Sequence, residues 1–368
     1  KRLEEIEKVD ILIGVPSYNV ENTVDFVIEQ IGKGLKKHWN DYKSLILVSD
    51  GGSVDDTREV AKSEDVPPYI EKAVGIYRGL PGKGTAVRAI LEAAEFLNAD
   101  ITLMIDSDLH SIRPDWMLNM IKPVLKEDYD YISPYYKRYK YDATITNNIA
   151  YMLIRALYGK RVRQPIGGDF AFSSELVECL LKDDKRWDTD VARFGIDTWI
   201  TTTAVRNGFR LGQTRLGAKL HEAKDPSKHL GPMFRQVVIT TFELMEDFED
   251  VWKNIEGYEI KSLWNDILSS EDFALLEKIS GEDDYSLLHH DNWARIVYDF
   301  ASTFHRWRRH HAKLIDTMLP LYNLRVASLY HASEGMDSDQ FESLVEEAAQ
   351  TFENLKSYLL DRWKEESV

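Results

Sequence analysis

Asp106-Ser107-Asp108 sets two carboxylates one residue apart, directly behind the apolar run Ile101-Thr102-Leu103-Met104-Ile105. An apolar run of that length reads as a buried strand of a parallel sheet. Carboxylates at the carboxyl end of such a strand stand where open α/β sheets bind ligands. Spaced in this way they suit a hard divalent cation, which in turn holds a diphosphate. An Asx-rich turn without a ligand is the plainer reading of the same triplet. A second candidate is Pro81-Gly82-Lys83-Gly84 at the start of a helical pattern. It is not a Walker loop, because Tyr77 stands at the place of its first Gly and Gly84 at that of its Ser or Thr. Free backbone N–H groups and one ammonium at a helix N-terminus still make an anion site, and a Gly-rich turn with a solvated Lys is the alternative.

Three further stretches carry chemistry. Gln164-Pro165-Ile166-Gly167-Gly168-Asp169 has paired glycines in a strand-like run, which signals either close approach of backbone to a ligand or a β-bulge. Gly195-Ile196-Asp197-Thr198 opens a helix, with Asp197 as its cap or as a site carboxylate. His221 ends a strand-like run, a position open to a structural histidine or a metal ligand. Residues 137–163 hold seven basic side chains (Lys137, Arg138, Lys140, Arg155, Lys160, Arg161 and Arg163) against one acid, Asp142. Anion recognition is expected there, with Thr144, Thr146 and Asn147 in the first turns of a helix over 143–158.

The elements that must position these residues alternate. Strands are predicted at 11–15, 44–49, 73–77, 101–105 and 130–136, with helices between them, which argues a doubly wound α/β sheet. Two short strands are expected over 209–220 and a helix over 196–206. From Pro232 onward the pattern is wholly helical, near 233–253, 289–303, 309–333 and 338–363. Trp252, Trp264, Trp293, Trp307 and Trp363 mark its expected core. The chain therefore divides, as an expectation, into a catalytic domain over residues 1–231 and a helical domain over residues 232–368 that offers a contact for a homodimer.

Bulk properties bound the function. The 368 residues are 43% hydrophobic, and no run is long and apolar enough to span a membrane. The charged stretch Lys1–Lys8 does not read as a signal peptide. The single cysteine, Cys179, excludes an internal disulfide and reads as a core thiol. A cytoplasmic protein is expected. Net charge is −16. Residues 232–368 hold 13 Lys and Arg against 27 Asp and Glu, so −14 of it lies there. That region is a poor partner for nucleic acid, and the nearly neutral remainder is open to anionic ligands.

Taken in series, Val15-Pro16-Ser17-Tyr18-Asn19, Val48-Ser49-Asp50-Gly51-Gly52-Ser53, Pro81-Gly82-Lys83-Gly84, Asp106-Ser107-Asp108, Gln164-Pro165-Ile166-Gly167-Gly168-Asp169 and Gly195-Ile196-Asp197-Thr198 resemble the nucleotide-sugar transferases of the GT-A fold. More narrowly, the set is similar to the retaining enzymes that glycosylate glycerate or phosphoglycerate: mannosylglycerate synthase and glucosyl-3-phosphoglycerate or glucosylglycerate synthase. The likeness covers roughly residues 10–235. It implies a mostly parallel, Rossmann-like sheet with a helical appendage, and a hexose moved from UDP-glucose or GDP-mannose to the 2-hydroxyl of a small hydroxy acid. By resemblance, Pro16, Tyr18, Asn19, Glu21, Ser49 and Asp50 surround the nucleoside, with Lys83, Asp106 and Ser107 completing the donor site. Asp106, Asp108 and His221 hold Mg2+ or Mn2+. Asp197 takes the donor sugar's hydroxyls, and the backbone of Ile166, Gly167 and Gly168 lines the anomeric face. Arg138, Asp142, Ala143, Thr144, Thr146 and Asn147 match the acceptor stretch. The Arg-Val-Thr motif of the phosphoglycerate-type enzymes is not found.

The chemistry agrees with that assignment. The sugar C1–O bond breaks through an oxocarbenium-like state and leaves charge on the diphosphate, which a divalent ion neutralises as a Lewis acid. A retaining enzyme lets the leaving phosphate take the acceptor's proton, so no separate base is required. Two alternatives stand beside this: an inverting transferase with a lipid or polysaccharide acceptor, and a nucleotide-sugar-binding scaffold. A sugar-1-phosphate nucleotidyltransferase is disfavoured, because Val15-Pro16-Ser17-Tyr18 is not its Gly-rich signature.

Overall fold

The computed structural model describes residues 2–140, 142–221, 226–255, 288–307 and 310–364, with backbone alone at 226–229. Seven strands form one sheet: β1 Ile11–Ser17, β2 Ser44–Asp50, β3 Ile70–Ile76, β4 Ile101–Met104, β5 Tyr131–Lys137, β6 Phe170–Ser173 and β7 Leu211–Ala218. Their order is β3-β2-β1-β4-β6-β5-β7. The first four pair in parallel, and β6 runs antiparallel between β4 and β5. β1, β2 and β4 are buried along their length, as continuous apolar runs covered on both faces require.

One face of the sheet is covered by α1 (Val24–His38) and α4 (Asp115–Glu127), which bury Val27, Ile28, Ile31, Trp116 and Met120. The other is covered by α3 (Lys83–Phe96), α5 (Tyr151–Tyr158), α6 (Ser174–Leu181) and α7 (Ile196–Arg206). This second core runs on without a break into the C-terminal helices, taking in Phe234, Trp293, Tyr298, Val345 and Phe352. The division expected at 231/232 accordingly falls inside a helix, Pro226–Asp247. That helix carries Pro232 within its length and packs on α7.

The strands predicted at 11–15, 44–49, 101–105 and 130–136 and the helix at 196–206 stand where expected, within two residues at each end. The third strand runs over 70–76, three residues earlier than predicted at its start. Residues 211–218 form one strand rather than two short ones. Its pairing with β5 slips by a residue between Tyr135 and Tyr136, and Gly217 takes φ +80° there. A bulge of this kind breaks the alternation that the sequence pattern relies on. The helix over 144–158 contains a π turn, Thr146–Ala150. Of the tryptophans assigned to the tail's core, Trp252, Trp293 and Trp363 are buried, Trp307 is 55% exposed, and Trp264 lies outside the described residues. Cys179 on α6 is half-buried. No described helix is long and apolar enough to cross a membrane.

Candidate active site

The carboxyl ends of β1, β2 and β4 open onto one groove, because a parallel sheet points all of them the same way. Behind β2, Asp50 is fully buried, and its Oδ1 accepts from the backbone N–H groups of Gly52 and Ser53, each at 2.9 Å. Asp50 therefore builds the turn, its carboxylate accepting from these backbone groups and from the Ser53 hydroxyl. Asn19 and Glu21 do comparable work from β1's side. Asn19 Oδ1 accepts from Val54 N at 3.0 Å, and Glu21 carboxylate accepts from Asp56 N at 2.8 Å. Pro16 gives its carbonyl to Ser107 Oγ at 2.8 Å, which fastens the Asp106-Ser107-Asp108 turn to β1. Ser49 is buried with its hydroxyl unpartnered. What remains for a flat base is Tyr18, 60% exposed, with Tyr77 beside Gly51.

The Gly-Lys-Gly turn is tight for a packing reason. A Cβ on Gly84 would lie 1.8 Å from the carbonyl oxygen of Val191. Gly84 N donates to Arg193 O at 3.0 Å and Gly82 N to the Tyr77 hydroxyl at 3.0 Å. Those two backbone donors are consumed inside the protein, contrary to the anion-site reading. The side chain of Lys83 is what reaches the groove.

There Lys83 meets a chain of alternating charge. Its Nζ lies 3.1 Å from Asp106 Oδ1 and 3.2 Å from Asp197 Oδ2. Lys219 Nζ lies 2.7 Å from Asp106 Oδ2 and 2.7 Å from Asp169 Oδ2. Asp169 also accepts from the Tyr136 hydroxyl and, at 2.8 Å, from Asp106 N. Burial works against both ammonium groups, and the neighbouring carboxylates outweigh it, so both lysines hold their protons above the ordinary range. Burial raises the pKa of Asp197, with Lys83 opposing. The antiparallel strand β6 is what brings Asp169 in: it starts beside β4, so Gly168 lies against Asp106. Gly168 has φ +88°, and a Cβ there would sit 2.1 Å from Asp106 Oδ2. Gly167 O accepts from Lys219 at 2.7 Å, and Ile166 is half-buried at the start of this turn.

The three expected metal ligands do not stand as one group. Asp106 spends one oxygen on each lysine. Among the described residues no three His, Cys, Asp or Glu side chains gather as a metal site. His221 Nε2 lies 3.2 Å from Arg138 and 3.9 Å from Asp142 Oδ2. Asp108 and His221 are nonetheless neighbours by backbone, since Leu109 and His221 form an antiparallel bridge. A carboxylate oxygen and an imidazole nitrogen are a donor pair that Mg2+ and, better, Mn2+ accept. The residues present fit a two-ligand site at Asp108 and His221, with Asp106 held back by lysine.

A cavity of about 360 Å3 that Tyr136 helps to line is walled by Arg138, Ala143, Asn147, Arg161, Arg163 and Glu342 among others. The acceptor stretch is thus split. Arg138, Ala143 and Asn147 face the cavity, and Ala143 holds φ +55° where the chain turns into the helix. Thr146 is buried. Thr144 Oγ1 accepts from the Tyr322 hydroxyl at 2.6 Å, so it serves the helical tail. Asp142 O accepts from Asn147 Nδ2 at 3.2 Å. Three of the seven basic side chains meet carboxylates from the helical tail. Arg163 forks onto Glu342 at 2.8 and 3.0 Å, Arg161 reaches Glu346 at 2.9 Å, and Arg155 reaches Glu346 at 2.6 Å and Glu353 at 2.7 Å. Arg161 and Arg163 both line the cavity. Sequence reasoning missed Lys219, Asp169 and Tyr136 as site residues.

A seven-stranded, mostly parallel sheet with one inserted antiparallel strand, and acidic residues behind its central strand, is the GT-A architecture of nucleotide-sugar transferases. Within that class, the mannosylglycerate synthase GT-domain family matches residues 52–238, half of the chain, and the chain belongs to this family. The glucosyl-3-phosphoglycerate synthase of Petrotoga mobilis is 26% identical over 195 residues, covering 49% of this chain and 58% of that protein. An uncharacterized protein of Methanocaldococcus jannaschii is 35% identical over 131 residues, 35% of this chain and 47% of that one. The matches thus span about half the length of these curated relatives. Among solved structures, glucosyl-3-phosphoglycerate synthase of Mycobacterium tuberculosis with Mn2+, UDP-glucose and phosphoglyceric acid superposes with TM-score 0.53 at 25% identity, over 65% of this chain and 80% of that one. The same enzyme with Mg2+ and UDP gives TM-score 0.51 at 26% identity, over 66% and 83%.

Proposed function

We propose that this chain is a metal-dependent, retaining hexosyltransferase. It moves a hexose from a nucleoside-diphosphate sugar, UDP-glucose or GDP-mannose, to the 2-hydroxyl of D-glycerate or 3-phosphoglycerate. The observation that carries the reading is one wall shared by two compartments. Tyr136 holds Asp169 of the charged chain through its hydroxyl and is also among the residues that line the arginine cavity. The solved relatives bind Mn2+ or Mg2+, UDP-glucose and phosphoglyceric acid, which supports both compartments.

Each residue's role follows from its place. Tyr18, beside the turn that Ser49, Asp50, Asn19 and Glu21 build, receives the base. Asp108 and His221 hold Mg2+ or Mn2+, which supplies Lewis-acid neutralisation of the leaving diphosphate. Lys83 adds a fixed positive charge in a water-poor site, where such charges act most strongly. Asp197, aimed into the groove by the first turn of α7, binds sugar hydroxyls beside Lys83. The backbone of Ile166, Gly167 and Gly168 lines the anomeric carbon. Arg138, 3.2 Å from His221, and Asn147, elsewhere in the cavity lining, orient the acceptor's carboxylate.

The test is release of nucleoside diphosphate from UDP-glucose and GDP-mannose, with each acceptor, with and without Mn2+, and the product's anomeric configuration by NMR. Metal-dependent, acceptor-stimulated release with retained configuration is expected. Release indifferent to metal and acceptor, or an inverted product, contradicts the reading. Replacing Arg138 by Ala is expected to raise acceptor KM about tenfold with donor KM little changed, the cost of one charge-assisted hydrogen bond.

A further inference from the structure

Lys219 lies just beyond β7 and two residues before His221, and it is 4% exposed. Its ammonium donates to three oxygens at one distance: Asp106 Oδ2, Asp169 Oδ2 and Gly167 O, each 2.7 Å away. Two carboxylates and a carbonyl converging on one point are the donor set of a hard divalent cation. Here the cation is delivered by the chain itself, as the compact point charge of a lysine. The oxygens are fixed before it arrives. Asp169 is held by the Tyr136 hydroxyl and by Asp106 N, and Gly168 is pressed against Asp106. Asp106 carries a second ammonium, Lys83, on its other oxygen. A doubly charged ion approaching these oxygens meets two fixed positive charges.

We propose that Lys219 is a built-in cation that keeps a divalent metal out of the Asp106–Asp169–Gly167 oxygens. Metal is thereby directed to Asp108 and His221, where it gains enough ligands only when a diphosphate arrives. This rests on the transferase reading for the diphosphate. The role of Lys219 itself rests on the three contacts.

Mn2+ binding to the full chain, followed by electron paramagnetic resonance with and without UDP, tests it. The wild-type protein is expected to bind Mn2+ at least tenfold more tightly with UDP present. Lys219→Ala opens the oxygens and is expected to bind Mn2+ at least tenfold more tightly than wild type without UDP, so that UDP's effect shrinks. Lys219→Arg, which keeps the charge, is expected to behave like wild type. A simple loss of packing would weaken or abolish binding and would not create it. A folded Lys219→Ala protein with wild-type Mn2+ affinity overturns the proposal. So does a wild-type protein that binds Mn2+ equally well with and without UDP, an arm that needs no variant. Wild-type protein that binds no Mn2+ even with UDP refutes the transferase reading instead, and the Lys219→Ala arm then still decides the role of Lys219.

Discussion

Two networks of charge serve different parts of the molecule, and they are built from different cations. Toward the groove, Asp169, Lys219, Asp106, Lys83 and Asp197 alternate in a chain with one carboxylate in excess. Toward the helical tail, Arg155 and Arg163 are forked onto Glu353 and Glu342, and Glu346 is shared by Arg155 and Arg161. An arginine fork fixes direction and holds two oxygens at once, which suits a permanent seam between elements. A lysine ammonium on a flexible stem can change partners, which suits a site where ligands enter and leave. The seam fastens the tail to the sheet. The alternating chain holds acids ready while keeping them neutralised.

The sharpest way to break this comparison is to change one member of each network and read both activity and stability. Asp197→Asn keeps the shape and removes the charge beside Lys83. Turnover is expected to fall by about 10²–10³, the scale of losing one preorganised electrostatic contact, while the melting temperature stays within a few degrees. Steady-state kinetics and calorimetry check it. Arg155→Met does the reverse. It leaves Glu353 without its guanidinium and Glu346 with Arg161 alone, so unfolding free energy in urea is expected to drop by about 3 kcal/mol. Residual folded protein should keep its turnover. Equal effects of the two substitutions on stability and turnover would erase the distinction.

A third test uses pH and sits within the tail. His290 is packed beside the buried Arg325, and burial, aided by Arg325, pushes its pKa down to about 3. The unfolded chain takes up this proton near pH 6.5 and the folded chain does not. The stabilisation is therefore complete above about pH 6.5 and is lost progressively as pH falls toward 3. A loss of roughly 2–4 kcal/mol across that window is expected from this group. His290→Asn should flatten the dependence in a pH series of urea melts. The smallest effect is expected at Arg235, whose 2.7 Å pair with Asp316 is half exposed. Replacing Arg235 by Ala should cost less than about 1 kcal/mol and vanish into salt screening.

How far the sequence reads ahead differs between the same two regions. The groove's framework is local: an apolar strand followed by Asp106-Ser107-Asp108, a helix opening on Asp197, a Gly-Gly pair before β6. Each announces itself within a short stretch of chain, and the structure brings Lys83, Asp106, Asp197 and the Gly167-Gly168 turn together. Lys219 and Asp169 stayed hidden because each is one charged residue beside strand-like sequence, and only the antiparallel insertion of β6 makes them neighbours. A single ionisable residue between Ala218 and Leu220, at the end of a half-buried strand, was the available signal.

The arginine cluster is harder to read for a different reason. In the sequence Arg155, Arg161 and Arg163 have no acid nearby, so an external anion looked like their partner. Their carboxylates come from far along the chain, 179 to 198 residues later. The helix Ser338–Asn354 is started by a capping box at Asp337 and Gln340. It buries Phe341, Val345, Ala348, Ala349 and Phe352, which fixes its rotation and aims Glu342, Glu346 and Glu353 at the seam. Those three glutamates share one helical face by their spacing, a pattern visible in the sequence but without an indicated target.

The most direct test of the whole account is a crystal of the full chain soaked with Mn2+ and UDP-glucose. The account predicts an ion ligated by Asp108 and His221, about 2.0–2.3 Å from each, bridging the diphosphate, with Lys219 still on Asp106 and Asp169. An ion seated between Asp106 and Asp169 in place of the Lys219 ammonium, or a His221 imidazole left on Arg138 with the donor bound, would contradict it.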